Sequence, residues 1–140
     1  MKVDRNLKIQ NYQFFDSLIQ GVIIDIEKNT NKKILKSDLK KGFKFNNKNK
    51  QNPLLNSTFE IIDFIPNELY SAKQTTVNGT RFISFKITTI KDGINVEFQQ
   101  SLPKSNKKQL KLFSLFSETI YLGRMTDFLY NIERQIVKNT

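Results

Sequence analysis

The strongest constraint on this chain is a change of hydrophobic period. Apolar residues recur every three to four positions from residue 12 to about residue 42, alternate through residues 43–102, and return to helical spacing after residue 107. Phe43 and Phe45 alternate with lysines, and a polar stretch follows at 46–52. Residues 58–65, 68–76, 81–90 and 94–102 then read as strands, separated by Pro66-Asn67, Asn78-Gly79 and Asp92-Gly93. Such dipeptides supply the backbone angles that hairpins need, so the four strands predict an antiparallel meander. Ile83, Phe85 and Ile87, with Ile94, Val96, Phe98 and Leu102, fall on the inward face. Residues 58–65 are apolar on both sides, which leaves their facing open.

The flanks follow from the same reading. Residues 3–9 alternate, with Val3, Leu7 and Ile9 on one side. Arg5 falls on that side too, either at the sheet margin or as an inward cation. Asn11 is a candidate cap for a helix whose apolar residues stand at 12, 15, 18, 19, 22, 23 and 26 and which ends at Asn29-Thr30-Asn31. A short helical turn over 36–41, anchored by Leu35 and Leu39, stops at Gly42. At the other end, Leu122, Met125, Leu129, Ile132 and Ile136 keep a 3-4 rhythm. A straight helix over residues 107–139 would be about 50 Å long. A domain of this length is less than about 40 Å across, so a bend is expected at Gly123 or at Ser114 and Ser117.

Composition bounds the chemistry. The 140 residues contain no cysteine and no histidine, which excludes disulfides, thiolate metal sites, thiol nucleophiles and histidine acid–base catalysis. No catalytic motif, metal site or cofactor is assigned. The first nine residues are charged, and the longest nearly apolar run, residues 21–24, is far short of a membrane span; a cytoplasmic protein is the expectation.

The net charge is +10, and residues 28–50 hold nine lysines against Asp38 alone. Lys32, Lys33, Lys36, Lys40 and Lys41, joined by Lys104, Lys107, Lys108 and Lys111, form a candidate basic patch. Such a patch can attract nucleic acid, an anionic membrane or an acidic protein. Nineteen lysines against four arginines, in a chain rich in Asn, Ile and Phe, also fit simple A/T-rich codon usage. Arginine forks are the commoner specific readers of nucleic acid, so this partner is not favoured.

The order strand, helix, short helical turn, antiparallel strands and final helix resembles the helix-grip fold of the START-like (SRPBCC) superfamily. The carrying segments are Tyr12-Gln13-Phe14-Phe15-Asp16 and Ile62-Asp63-Phe64-Ile65-Pro66-Asn67-Glu68-Leu69-Tyr70. Asp25-Ile26-Glu27 and Leu39-Lys40-Lys41-Gly42-Phe43-Lys44-Phe45 are similar to a small uncharacterised family from low-GC Gram-positive bacteria. The resemblance covers essentially the whole chain. It implies one α+β domain over 1–140, with a curved antiparallel sheet of about six strands wrapped around a long C-terminal helix. That superfamily includes lipid and hormone binders, cyclase-like enzymes and chaperone activators, and a shared fold does not select among them.

In such a fold Phe45, Phe64, Phe85 and Phe98 point inward from the strands, with Phe116 and Ile120 opposite them on the last helix. They line an apolar pocket with Arg5, Tyr12 and Tyr70 at its mouth, or they fill a small core. Residues 104–121, lysines running into Leu110, Leu112, Phe113, Leu115 and Phe116, close that cavity or lie on a membrane or partner. Asp25 with Glu27, and Asp63 with Glu68, are the acid groupings; they serve a cation or a proton transfer, or are solvated element ends. The expected role is a binding domain without catalysis for a hydrophobic or amphipathic small molecule, with the lysine-rich rim favouring an acidic head group.

Overall fold

The computed structural model describes residues 2–48, 51–77, 79–101 and 125–139. β1 (Lys2–Leu7) leads into α1 (Asn11–Thr30), and a 3-10 turn (Lys36–Asp38) leads to β2 (Lys44–Asn47). A second 3-10 turn (Pro53–Leu55) precedes β3 (Ser57–Ile65), β4 (Leu69–Thr76), β5 (Gly79–Ile90) and β6 (Gly93–Ser101). The last described element is α2 (Met125–Lys138). The six strands form one antiparallel sheet in the order β1-β6-β5-β4-β3-β2. This is an α+β fold in which a curved sheet carries helices on its inner face.

Alternation sets that face. Ile83, Phe85 and Ile87 of β5 and Ile94, Val96 and Phe98 of β6 are all buried, as their period of two predicts. Tyr70 and Ala72 of β4 continue the face, and Phe59 and Ile61 of β3 extend it. The ambiguous facing of β3 has a local cause. Its register against β4 shifts between Ile61 and Asp63, so Ile62 is an extra residue. The bulge resets the alternation, and Phe64 lies opposite Tyr70.

α1 buries Phe14, Phe15, Leu18, Ile19, Val22, Ile23 and Ile26. The stripe begins at Phe14 rather than at Tyr12, which is 52% exposed. The cap is Gln10 rather than Asn11: its backbone N–H donates to Gln13 Oε1 at 2.9 Å in a reciprocal capping box. At the far end Asn31 takes a left-handed conformation, φ 55°, and its N–H returns to Glu27 O at 2.9 Å. α2 presents Met125 and Leu129 to the core, with Phe128, Ile132 and Ile136 packed at its edge. The backbone N–H of Lys8 donates to Glu133 Oε2 at 2.6 Å, which pins α2 to the corner between β1 and α1.

Two expectations shift in detail. The β5–β6 loop is Lys91-Asp92, with Ile90 paired to Gly93, so Gly93 opens β6 rather than sitting in the turn. In the same way Thr76 pairs with Gly79, which opens β5, and Asn78 lies outside the described residues. The expected bend at Gly123 or at Ser114 and Ser117, and the inward facing of Leu102, also lie outside them. Among the described residues the longest helix is α1, at 20 residues, against 14 for α2.

A candidate ligand cavity between the sheet and two helices

A cavity of about 430 Å³ lies where α1, the inner face of the sheet and α2 meet. α1 contributes Leu18, Val22 and Asp25; the strands contribute Tyr70, Ile83 and Phe85; α2 contributes Phe128 and Ile132. Its size falls within the usual range for small-molecule pockets, and its walls are mainly apolar. Gly21 also borders it, and a Cβ built there would meet no described atom within 4 Å. Glycine inside a helix costs about 1 kcal/mol relative to alanine. Here that cost goes with open space rather than with a tight contact.

Two polar groups mark the cavity. Tyr70 is completely buried, and among the described residues its Oη has no hydrogen-bond partner. Burial, and secondarily the Asp25 carboxylate, raise its pKa, so the phenol stays protonated. Asp25 is half-buried on α1, and burial raises its pKa to about 6, against a smaller opposing pull from Lys28. The arrangement is a hydrophobic slot with a hydroxyl and a titratable carboxyl in it.

Both groups make testable contributions to stability. In the unfolded chain Asp25 takes the ordinary value of 3.8, so between roughly pH 4 and 6 the folded state holds a proton that the unfolded state has released. Stability from this group therefore falls as pH rises through that window, and the loss is complete above it. Asp25→Asn is expected to stabilise the protein at pH 7.5 by about 1–2 kcal/mol after allowing for partial exposure, and by much less at pH 4.5. Urea unfolding at the two pH values measures the difference, and an equal effect at both would rule it out. Tyr70→Phe removes an unsatisfied buried hydroxyl and is expected to raise stability by about 1 kcal/mol. A lowered urea midpoint would contradict that.

The residues singled out in the sequence fall in several places. Tyr70 and Phe85 line the cavity. Phe98 lies behind it in the core, its ring 5.0 Å from that of Phe85. Phe64 packs edge-on against Phe15 at 5.4 Å, and Phe45 packs against Phe59 at 5.1 Å, so both build the core beside the slot rather than the slot. Tyr12 borders a separate shallow groove with Gln135 and Ile136. Arg5 is half-buried at the sheet margin and donates through Nη1 to Asp4 O at 2.7 Å. Phe116 and Ile120 lie outside the described residues, as do Lys104, Lys107, Lys108 and Lys111.

Lys32, Lys33, Lys36, Lys40 and Lys41 are exposed along the connection from α1 to β2, and none of them lines the cavity. Lys36 pairs with Asp16 at 3.0 Å. Among the acids, Glu27 Oε2 accepts from the backbone N–H of Ile34 at 2.9 Å, which braces that connection. Among the described residues no group of three acids could hold a metal ion. No described helix is long and apolar enough to cross a membrane.

The sequence reading missed Leu18, Val22, Phe128 and Ile132 as lining residues. Helical spacing placed Leu18, Val22 and Ile132 inward and left Phe128 outside its rhythm, and only the gap between two helices separates lining from packing. Gly21 carried the one available signal, a costly helix residue on the edge of an apolar stripe.

Three comparisons with known proteins bear on this architecture. The family model described as Domain of unknown function (DUF3284) matches residues 1–122. No curated protein gives a match to the sequence. Among solved structures, protein MLL2253 from Mesorhizobium loti superposes with a TM-score of 0.57 at 16% identity, covering 100% of this chain and 97% of its own. CalU16 from Micromonospora echinospora gives 0.51 at 11% identity, covering 96% and 83%. An HSP90 activator from Plasmodium falciparum, PFC0360w, gives 0.51 at 12% identity, covering 77% and 76%. At these identities the likeness is one of fold.

Proposed function

The chain belongs to the family of the domain of unknown function DUF3284, and from that premise we propose that it is a binding domain for a hydrophobic small molecule held between the sheet, α1 and α2. The observation that carries this reading is the apolar cavity of about 430 Å³ lined in part by Tyr70, whose buried hydroxyl has no partner among the described residues. A packed core has no reason to keep such a hydroxyl, since desolvating it costs about 1–3 kcal/mol. Binding would bury apolar ligand surface at about 25 cal/mol per Å², before the cost of immobilising the ligand. Among the structures of similar fold PFC0360w is an HSP90 activator, which makes a protein partner the competing reading, and the apolar cavity favours the small molecule.

Thermal shift across aliphatic and aromatic compounds, with native mass spectrometry of the purified protein, tests the proposal. Gly21→Leu is the matching control, because Gly21 borders the cavity and a Cβ there meets no described neighbour within 4 Å. Ligands at a concentration of about 100 times Kd are expected to stabilise the wild type by about 2.7 kcal/mol and the variant far less. An equal response of the two proteins, or no response from any compound, overturns it.

A further inference from the structure

Resting on that pocket reading, we infer that the polar end of the bound molecule is a hydrogen-bond donor, a hydroxyl or an amine, held between Asp25 and Tyr70, and that carboxylate and phosphate ends are refused there. The geometry of the slot leads to this. Tyr70 Oη both donates and accepts, is fully buried, and has no partner among the described residues. The Asp25 carboxyl lines the same cavity and is close enough to act electrostatically on that phenol. When ionised, it can only accept. A ligand hydroxyl can donate to Asp25 while accepting from Tyr70, and an ammonium can donate to both.

An anionic end meets the opposite situation. The charged group on α1 that acts on Asp25 is Lys28, and its pull is weaker than the effect of burial. β4 and β5 face the slot with Tyr70, Ile83 and Phe85, and α2 with Phe128, Ile132 and Gln135. No described lining residue carries a positive charge. A second carboxylate would therefore lie beside Asp25 in an apolar surround without a counter-ion among the described lining residues, an unfavourable arrangement. The exposed lysines at 32–41 do not line the cavity, so among the described residues the acidic head group that composition favoured has no cationic partner there.

The test uses three probes with one tail: 1-octanol, octylamine and octanoate, titrated into the full chain by calorimetry at pH 7.5. Octanol and octylamine are expected to bind, and octanoate to bind at least about tenfold more weakly. In Asp25→Asn, a variant expected to be more stable, octanoate should approach octanol to within about twofold while octylamine weakens. In Tyr70→Phe, octanol should weaken by about threefold to tenfold, the loss of one hydrogen bond. Equal binding of all three probes to the wild type, or discrimination that survives Asp25→Asn unchanged, overturns the inference and leaves the pocket reading standing. Failure of all three to bind overturns the pocket reading and the inference together.

Discussion

Phe85→Ala is expected to lower the stability of the folded protein by about 3–5 kcal/mol, the largest effect of any single truncation in the core. Phe85 is fully buried on β5, one of the two central strands, and among the described residues its ring meets four others. Phe98 lies at 5.0 Å, Phe14 and Phe128 at 6.4 Å, and Tyr70 at 6.5 Å. These partners come from β6, α1, α2 and β4, so one side chain joins the sheet to both helices. Its removal leaves a hole that the neighbours can fill only by moving whole elements, which is the costly kind of cavity. Because Phe85 also lines the slot, the hole would merge with it. A domain of this size has about 5–15 kcal/mol in hand, so the variant is expected to keep its sheet but unfold at a much lower urea midpoint. A loss below about 1.5 kcal/mol would mean that the rings pack independently.

Gly93→Ala is expected to cost about 2–4 kcal/mol through backbone displacement rather than lost burial. A Cβ on Gly93 would lie 2.1 Å from the carbonyl oxygen of Leu7 and 3.1 Å from its carbon. Its φ of 157° is also one that side chains rarely adopt. Leu7 is the last residue of β1 and pairs with Ile94, so the clash falls where the edge strand closes onto β6. Backbone atoms cannot rotate away as a side chain can, and the β1–β6 ladder must open at that end. Amide hydrogen exchange should show lost protection at residues 6, 7, 94 and 95, while β3 and β4 stay protected. Unchanged protection of β1 would contradict this account.

Much of this was legible in the sequence because periodicity is a local signal. Ile83-Ser84-Phe85-Lys86-Ile87 can bury one face only as a strand, and the buried set matches that alternation. Leu18, Val22 and Ile26 can share a face only as a helix, and they do. Local patterns were weaker guides at element ends. The buried stripe of α1 begins at Phe14, and Tyr12 in the first turn stays outside the core although its spacing matches the stripe. The double-faced apolar pattern of β3 was unreadable without the bulge at Ile62, which is a property of two paired strands. Arg81 shows the same limit. It falls on the inward face of β5, and its burial is made tolerable by Gln100 of β6, whose Oε1 accepts from Nη2 at 2.7 Å and from Nε at 3.1 Å.

The change of hydrophobic period determined the element types, their order and the residues that face inward, because each is set by neighbours a few positions apart. Whether the inward residues line a space or fill it was decided only by the tertiary structure. That outcome depends on how far α1 and α2 stand from the sheet, a distance between elements remote in sequence. The same holds for the site's chemistry. Asp25 reads as a helix-end acid and Tyr70 as a strand aromatic until packing brings both to one slot. Burial then raises the carboxyl toward neutrality and leaves the phenol without a partner among the described residues, because shared desolvation is a property of the assembled core.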